Sequence, residues 1–332
     1  MFVVVSCKKD DSNNKEAIKD VSKSIQNIDT EVANVFNEIN DEESVVALKT
    51  VTELMKVAKF PATLPSVQGI ITQNVDPKRF ALEDEPKEMP KGTFTWDEAN
   101  KKWIYSSEPA DATVMKFPLD KDNLSNNNAK IEIKGLEYVK FKDYGYVLKS
   151  IQIKIEVNGT VVGMMSHDSS WEPTMNVPVT VNTTAVLGPF KMQMGVAFTM
   201  PTYNITFSFA KGATVITSSN MSLSLNLPTM KPVLVKEAKG FYQFATIKFD
   251  GSVDIAGISA LEAGATLEDI NGKINVVLKQ YPSDKTVGKI YIKTIDAKGE
   301  PVFVVKMDDG TEIELMPLVI KIIAKLPIKL NL

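Results

Sequence analysis

The sequence predicts an α+β protein: an N-terminal αα-hairpin followed by a large antiparallel β-region with one inserted helix. Two periods and one total predict it. Apolar residues step by three and four through residues 15–59, the spacing of an amphipathic helix. From Gly92 they alternate with polar ones, the spacing of half-buried strands. Apolar residues make up 44% of the 332-residue chain and charged residues 24%. That is enough apolar mass for a sizeable core and excludes wholesale disorder.

The first helix rests on Ile18, Val21, Ile25, Ile28, Val32, Val35, Phe36 and Ile39. Asn40-Asp41-Glu42-Glu43 reads as a break, with Asn40 as the cap of a second helix and Glu43 at the capping-box position. Val45, Leu48, Val51 and Met55 continue the stripe, and Phe60-Pro61 stops it. Residues 61–92 hold five prolines and the acidic run Glu83-Asp84-Glu85, the composition of a linker or surface strap. Phe94 and Trp96 then face Trp103 and Tyr105 across Asp97-Glu98-Ala99-Asn100, a hairpin. Strands follow around Ile131–Ile133, Ile151–Val157, Met192–Met200, Tyr203–Phe209 and Val215–Leu227. Thr266 and Asp269 start an expected helix that runs through Leu267, Ile270, Ile274, Val277 and Leu278 to Tyr281, before Pro282. Val302–Met307 and Thr311–Leu315 flank the turn Asp308-Asp309-Gly310, and a last alternating strand runs from Leu318 to Leu330. The expected division is therefore a tether over 1–14, a helical hairpin over 15–60, a strap over 61–92 and an antiparallel β domain over 93–332. Its helix lies near 266–281, and its sheet is a half-barrel or a two-sheet sandwich.

Composition removes several function classes. The chain has one His and one Cys, and its net charge is −3. Disulfide frameworks, zinc clusters and most His-based catalysis need more of these residues. Of 38 basic residues only Arg79 is an arginine, which argues against a dedicated phosphate or nucleic-acid site. The sequence contains no P-loop, Gly-x-Ser-x-Gly or His-Glu-x-x-His pattern. No catalytic residue, metal ligand or cofactor is expected, and the chain reads as non-enzymatic. Asp120-Lys121-Asp122-Asn123 and Asn126-Asn127-Asn128 are rich in oxygen ligands but lack the glycine and terminal glutamate of a calcium loop.

The N-terminus reads Met1-Phe2-Val3-Val4-Val5-Ser6-Cys7-Lys8-Lys9-Asp10-Asp11. An apolar run ends in a small residue and a cysteine, then turns polar. Val4-Val5-Ser6-Cys7 resembles a bacterial lipobox, with Cys7 the lipidated residue. The apolar run is too short for a complete signal peptide, which reads as a truncated or misassigned start. Lys8-Lys9-Asp10-Asp11-Ser12-Asn13-Asn14 is similar to the tether and acidic export tag of surface lipoproteins of Bacteroidota. The hairpin Gly92–Trp96 with Trp103 resembles one found in uncharacterised lipoproteins of that group and implies no activity. The lipobox implies anchoring by acyl chains, each buried methylene contributing about 0.8 kcal/mol. It also implies an outer-membrane, cell-surface location and the membrane as a partner.

Two ligand readings follow. Eight of the 14 methionines lie between Met164 and Met230. Met192, Met194, Phe198 and Met200 share one face of a strand, so an adaptable apolar face could hold a lipid-like ligand. In architecture, a half-barrel with a helix over such a face resembles bacterial lipoprotein carriers of the lipid-chaperone type. Alternatively, Ser166-His167-Asp168-Ser169-Ser170-Trp171-Glu172 reads as a polar loop between strands, with Trp171 stacking on a sugar. That is the surface adhesin or glycan-binding reading. An accessory role in outer-membrane assembly would instead require an exposed apolar patch on the helices.

Overall fold

A computed structural model describes residues 10–60, 82, 85–119, 123–141, 145–172, 177–225, 235–261, 265–295 and 301–315. The expected lipidation site Cys7, most of the Pro-rich strap and the expected last strand lie outside the described residues. The protein is mostly β. Among the described residues sixteen strands form one hydrogen-bonded sheet, ordered from the last strand in the chain back to the fourth, then the third, the first and the second. The sheet is mixed, and its strand order does not close on itself. β1 (Gly92–Asp97) and β3 (Thr113–Phe117) pair in parallel, and the other described pairings are antiparallel. The chain falls into two compact units. One holds residues 37–198 and 207–214, and the other holds 1–36, 199–206 and 215–332.

Two helices open the chain, α1 (Asp10–Asp41) and α2 (Glu43–Val57). Asn40 does not cap α2. It stays inside α1, and its Oδ1 accepts a bond from Lys49 Nζ at 3.0 Å. Glu42 alone separates the helices, with an extended backbone and no side-chain cap bond. The two apolar stripes do not share a core, as a packed hairpin would require. Ala17, Ile18, Val21 and Ile25 of α1 belong to one buried cluster, and Ala47, Val51 and Met55 of α2 to another.

In the unit that holds α2, the core is a face of β4 (Ala129–Phe141), β5 (Gly145–Val157), β6 (Thr160–Glu172) and β7 (Val177–Leu187). Ile133 pairs with Ile153, Ile153 with Met165, Met165 with Ala185, and Ala185 with Met192 of β8 (Phe190–Thr199). Ile131 and Ile155 form the neighbouring pair. Ala47, Val51 and Met55 lie against this face, with Met115 and Phe117 of β3. Gly163 is where helix and sheet come closest, since a Cβ there would stand 2.8 Å from Ser44 Cβ. The hairpin of β1 with β2 (Lys102–Ser106) forms as expected, with Phe94 opposite Tyr105 and Trp96 opposite Trp103. Phe60 packs edge-on against Phe94 at 4.9 Å.

In the other unit, α1 lies over one end of β11 (Val235–Phe244), β12 (Ile247–Asp254) and β13 (Ile274–Gln280). Its stripe joins Phe244, Ile247, Leu278, Val287, Val305 and Met307. Ser24 Oγ and Thr246 Oγ1 share a hydrogen bond of 2.5 Å at the same end. Farther along, Gly240 faces Gly251 across β11 and β12, both at positive φ. A Cβ at either would stand 1.9 Å from a carbonyl of the next strand, so both positions require glycine.

The expected helix over 266–281 is shorter. The capping box of Thr266 and Asp269 is present, but the helix it starts, α4 (Leu267–Asn271), ends there and Ile274–Gln280 is strand β13. Gly272 weakens the helix there. Ile274, Val276 and Val277 are β-branched and favour the sheet. A one-turn helix, α3 (Ile255–Ser259), precedes it, capped by Asp254 Oδ1 on the Gly257 amide at 2.8 Å. β15 (Pro301–Met307) and β16 (Glu312–Glu314) form the expected hairpin.

Candidate functional site

The strand that carries Met192, Met194 and Phe198 forms as expected, and Met192 and Met194 fall on the covered face. Met194 continues the row Ile151–His167–Thr183 and is buried. Met192 is half-buried and packs against the α2 core. Phe198 is half-buried. Met200 departs from this set: it is 62% exposed, in the turn after β8 that leads to Pro201. The strand ends at Thr199, so alternation no longer governs where the Met200 side chain goes.

The predicted polar loop around His167 is not a loop. Thr160–Glu172 is one continuous strand, and His167 is buried at 2% exposure. The described pairing of β5 with β6 begins at Ser150 opposite Asp168. Beyond that point, side chains of β6 reach the β5 carbonyls. Ser169 Oγ donates to the carbonyls of Leu148 and Lys149, both at 3.1 Å, and His167 Nε2 reaches that of Leu148 at 3.4 Å. A carbonyl only accepts, so Nε2 carries the proton and Nδ1 accepts from Thr183 Oγ1 at 2.9 Å. Trp171 Nε1 donates to Ser169 Oγ at 2.9 Å. These groups satisfy backbone oxygens where the ladder ends, as buried polar groups must be. Burial pushes the His167 pKa below its ordinary value, against the opposing effects of the Leu148 bond and the Asp168 charge. A neutral imidazole held between strands is a structural strut, and Trp171 is half-buried beside it.

The opposite face of the same strands is open to solvent. One row runs Glu132–Lys154–Met164–Val186–Lys191 across β4 to β8. Beside it runs Lys134–Gln152–Ser166–Thr184–Gln193. The residues that β4 to β7 contribute to these rows line a shallow depression of about 410 Å³, and Met164 in its floor is 51% exposed. The charges at its rim are paired. Lys134 bridges Glu132 at 3.1 Å and Asp111 at 3.3 Å, and Glu156 holds Lys130 at 2.5 Å and Lys154 at 2.6 Å. Bonds from Lys130 and Lys154 hold the Glu156 carboxyl below its usual range. A second depression of about 380 Å³ adjoins the start of α2 and is lined by Glu42, Glu43, Val161, Gly163, Met164 and Gly188. Neither depression is lined by Met192, Met194, Phe198, Met200 or Trp171.

Sequence reasoning missed this surface. Its signal was present, because Gln152, Ser166, Thr184 and Gln193 all occupy polar positions of alternating strands. Which of them share a row depends on register, and sequence does not print register. Among the described residues no three His, Cys, Asp or Glu side chains converge as metal ligands. No helix among them is long and apolar enough to cross a membrane. Comparison with protein-family models, curated proteins and solved structures finds no match for this chain.

Proposed function

We propose that this protein is a membrane-tethered, non-enzymatic lipoprotein that binds a glycan on the open face of β4 to β8. The observation that carries the reading is the depression across two registered rows. Gln152, Ser166 and Thr184 supply an amide and two hydroxyls in one line, the complement of a hydroxyl-rich ligand. Met164 and Val186 supply an apolar strip for the C–H face of a sugar ring. The rim charges neutralise one another, so the surface does not select a strongly charged partner. The tether side of the reading rests on Val-Val-Ser-Cys7 and the polar segment after it.

Support for a lipid carrier is weaker. Met192 packs against the α2 core and Met194 is buried on the same face.

Screening the labelled protein against immobilised glycans tests the reading. The binding found should fall at least about tenfold in Gln152→Ala/Thr184→Ala, the loss of two hydrogen bonds to a ligand. It should be unchanged in Met192→Ala. Absence of glycan binding, together with a fluorescent fatty-acid probe that binds the parent but not Phe198→Ala, would replace this reading with the carrier.

A further inference from the structure

The strand order has two ends, β2 and β16, and they are built differently. β16 is three residues, Glu312-Ile313-Glu314. A second β16 set antiparallel against it about Ile313 would put Glu312 directly opposite Glu314, a destabilising like-charge pair. β2 reads Lys102-Trp103-Ile104-Tyr105-Ser106. Its three central residues are uncharged, and Ile104 and Tyr105 are 53% and 58% exposed. Among the described residues no strand pairs with its outer side. An uncharged edge strand is a template for another strand.

We propose that β2 is the docking edge for β2 of a second copy of this chain, the two pairing antiparallel about a two-fold axis through Ile104. That register sets Ile104 opposite itself, Trp103 opposite Tyr105, and Lys102 opposite Ser106. No like charges meet. Lys101 is already held by Glu98 of its own turn. The axis stands perpendicular to the sheet, so the covered faces of both copies stay on one side. Trp103 and Tyr105 both belong to that face, opposite Trp96 and Phe94. Pairing therefore extends each aromatic row, Trp96–Trp103 at 5.2 Å and Phe94–Tyr105 at 5.0 Å, into the other copy. A five-residue edge buries far less than the roughly 1,200 Å² of a stable complex. The association is therefore reversible and concentration-dependent.

Sedimentation equilibrium of the full chain, taken toward millimolar concentration, should show a monomer–dimer equilibrium. Ile104→Lys puts two ammonium groups face to face at the axis. It should raise the dimer dissociation constant at least about tenfold and leave the melting temperature unchanged, because the side chain is exposed. In a Cys7→Ser background, Ile104→Cys should oxidise to a disulfide dimer, since residues directly opposite bring their Cβ atoms to about 4.5–5.5 Å. Ser106→Cys, offset from its own copy by four residues, should cross-link at least tenfold more slowly. A strictly monomeric parent, a dimer indifferent to Ile104→Lys, equal cross-linking at both positions, or assembly beyond a dimer would each overturn the proposal.

Discussion

β5 and β12 are both central strands, yet their burial differs. In β5 every second residue from Ile151 to Val157 is buried. In β12 only Ile247, its first residue, is buried, and the next seven are half-covered. The difference lies in what stands over them. The α2 stripe of Ala47, Val51 and Met55 belongs to the cluster that holds Ile151, Ile153, Ile155 and Val157. The α1 stripe shares a cluster with Ile247, Phe244 and Leu278, which lie at one end of their strands. Beyond that end, Met221 and Tyr242 are exposed, and the Gly240–Gly251 pair offers no side chain to bury. Alternation makes a strand, but burial needs a partner over the whole face.

The largest expected effect contrasts the two regions. Phe117 is fully buried in the α2 core, so Phe117→Ala should cost about 3–5 kcal/mol through lost burial and a cavity. Leu223, half-covered on β10 (Thr214–Leu225), loses less contact, so Leu223→Ala should cost about 1 kcal/mol. Urea titrations of both variants check this, and equal losses would break the comparison.

A smaller effect belongs to the α2 unit alone and depends on pH. His167 is the single histidine, and burial lowers its pKa in the folded protein. The unfolded chain titrates near the ordinary value of about 6.5. As pH falls from about 7 toward 5, the unfolded state takes up the proton first, so stability is present above that range and declines through it. His167→Gln should flatten this stretch of the stability profile, whatever the cost of the substitution itself. A profile that keeps its slope in the variant would assign it to carboxylates.

Much of the fold was legible as period. The hairpin of Phe94 and Trp96 with Trp103 and Tyr105 was readable because aromatic residues flank a short turn. β5 was readable because its alternation has no lapse. The segment after Gly272 was misread because Ile274, Val277 and Leu278 satisfy a helical spacing and a strand spacing at once, and its neighbours β12 and β14 (Lys285–Ile295) decide between them. His167 was misread for another reason. Ser-His-Asp-Ser-Ser has the composition of a loop, and only the end of the β5–β6 ladder gives those polar groups buried partners. The open-face rows were hidden because they exist only once five strands are in register.

Native-state hydrogen exchange tests the contrast between the two sheet regions most directly. Amides of Ile151 to Ile155 should exchange only through global unfolding, at the free energy measured by denaturant. Amides of Phe249 to Val253 should exchange through local opening at distinctly lower free energy. Equal protection in the two segments would contradict the account, because it would mean that the half-covered sheet is held as firmly as the one beneath α2.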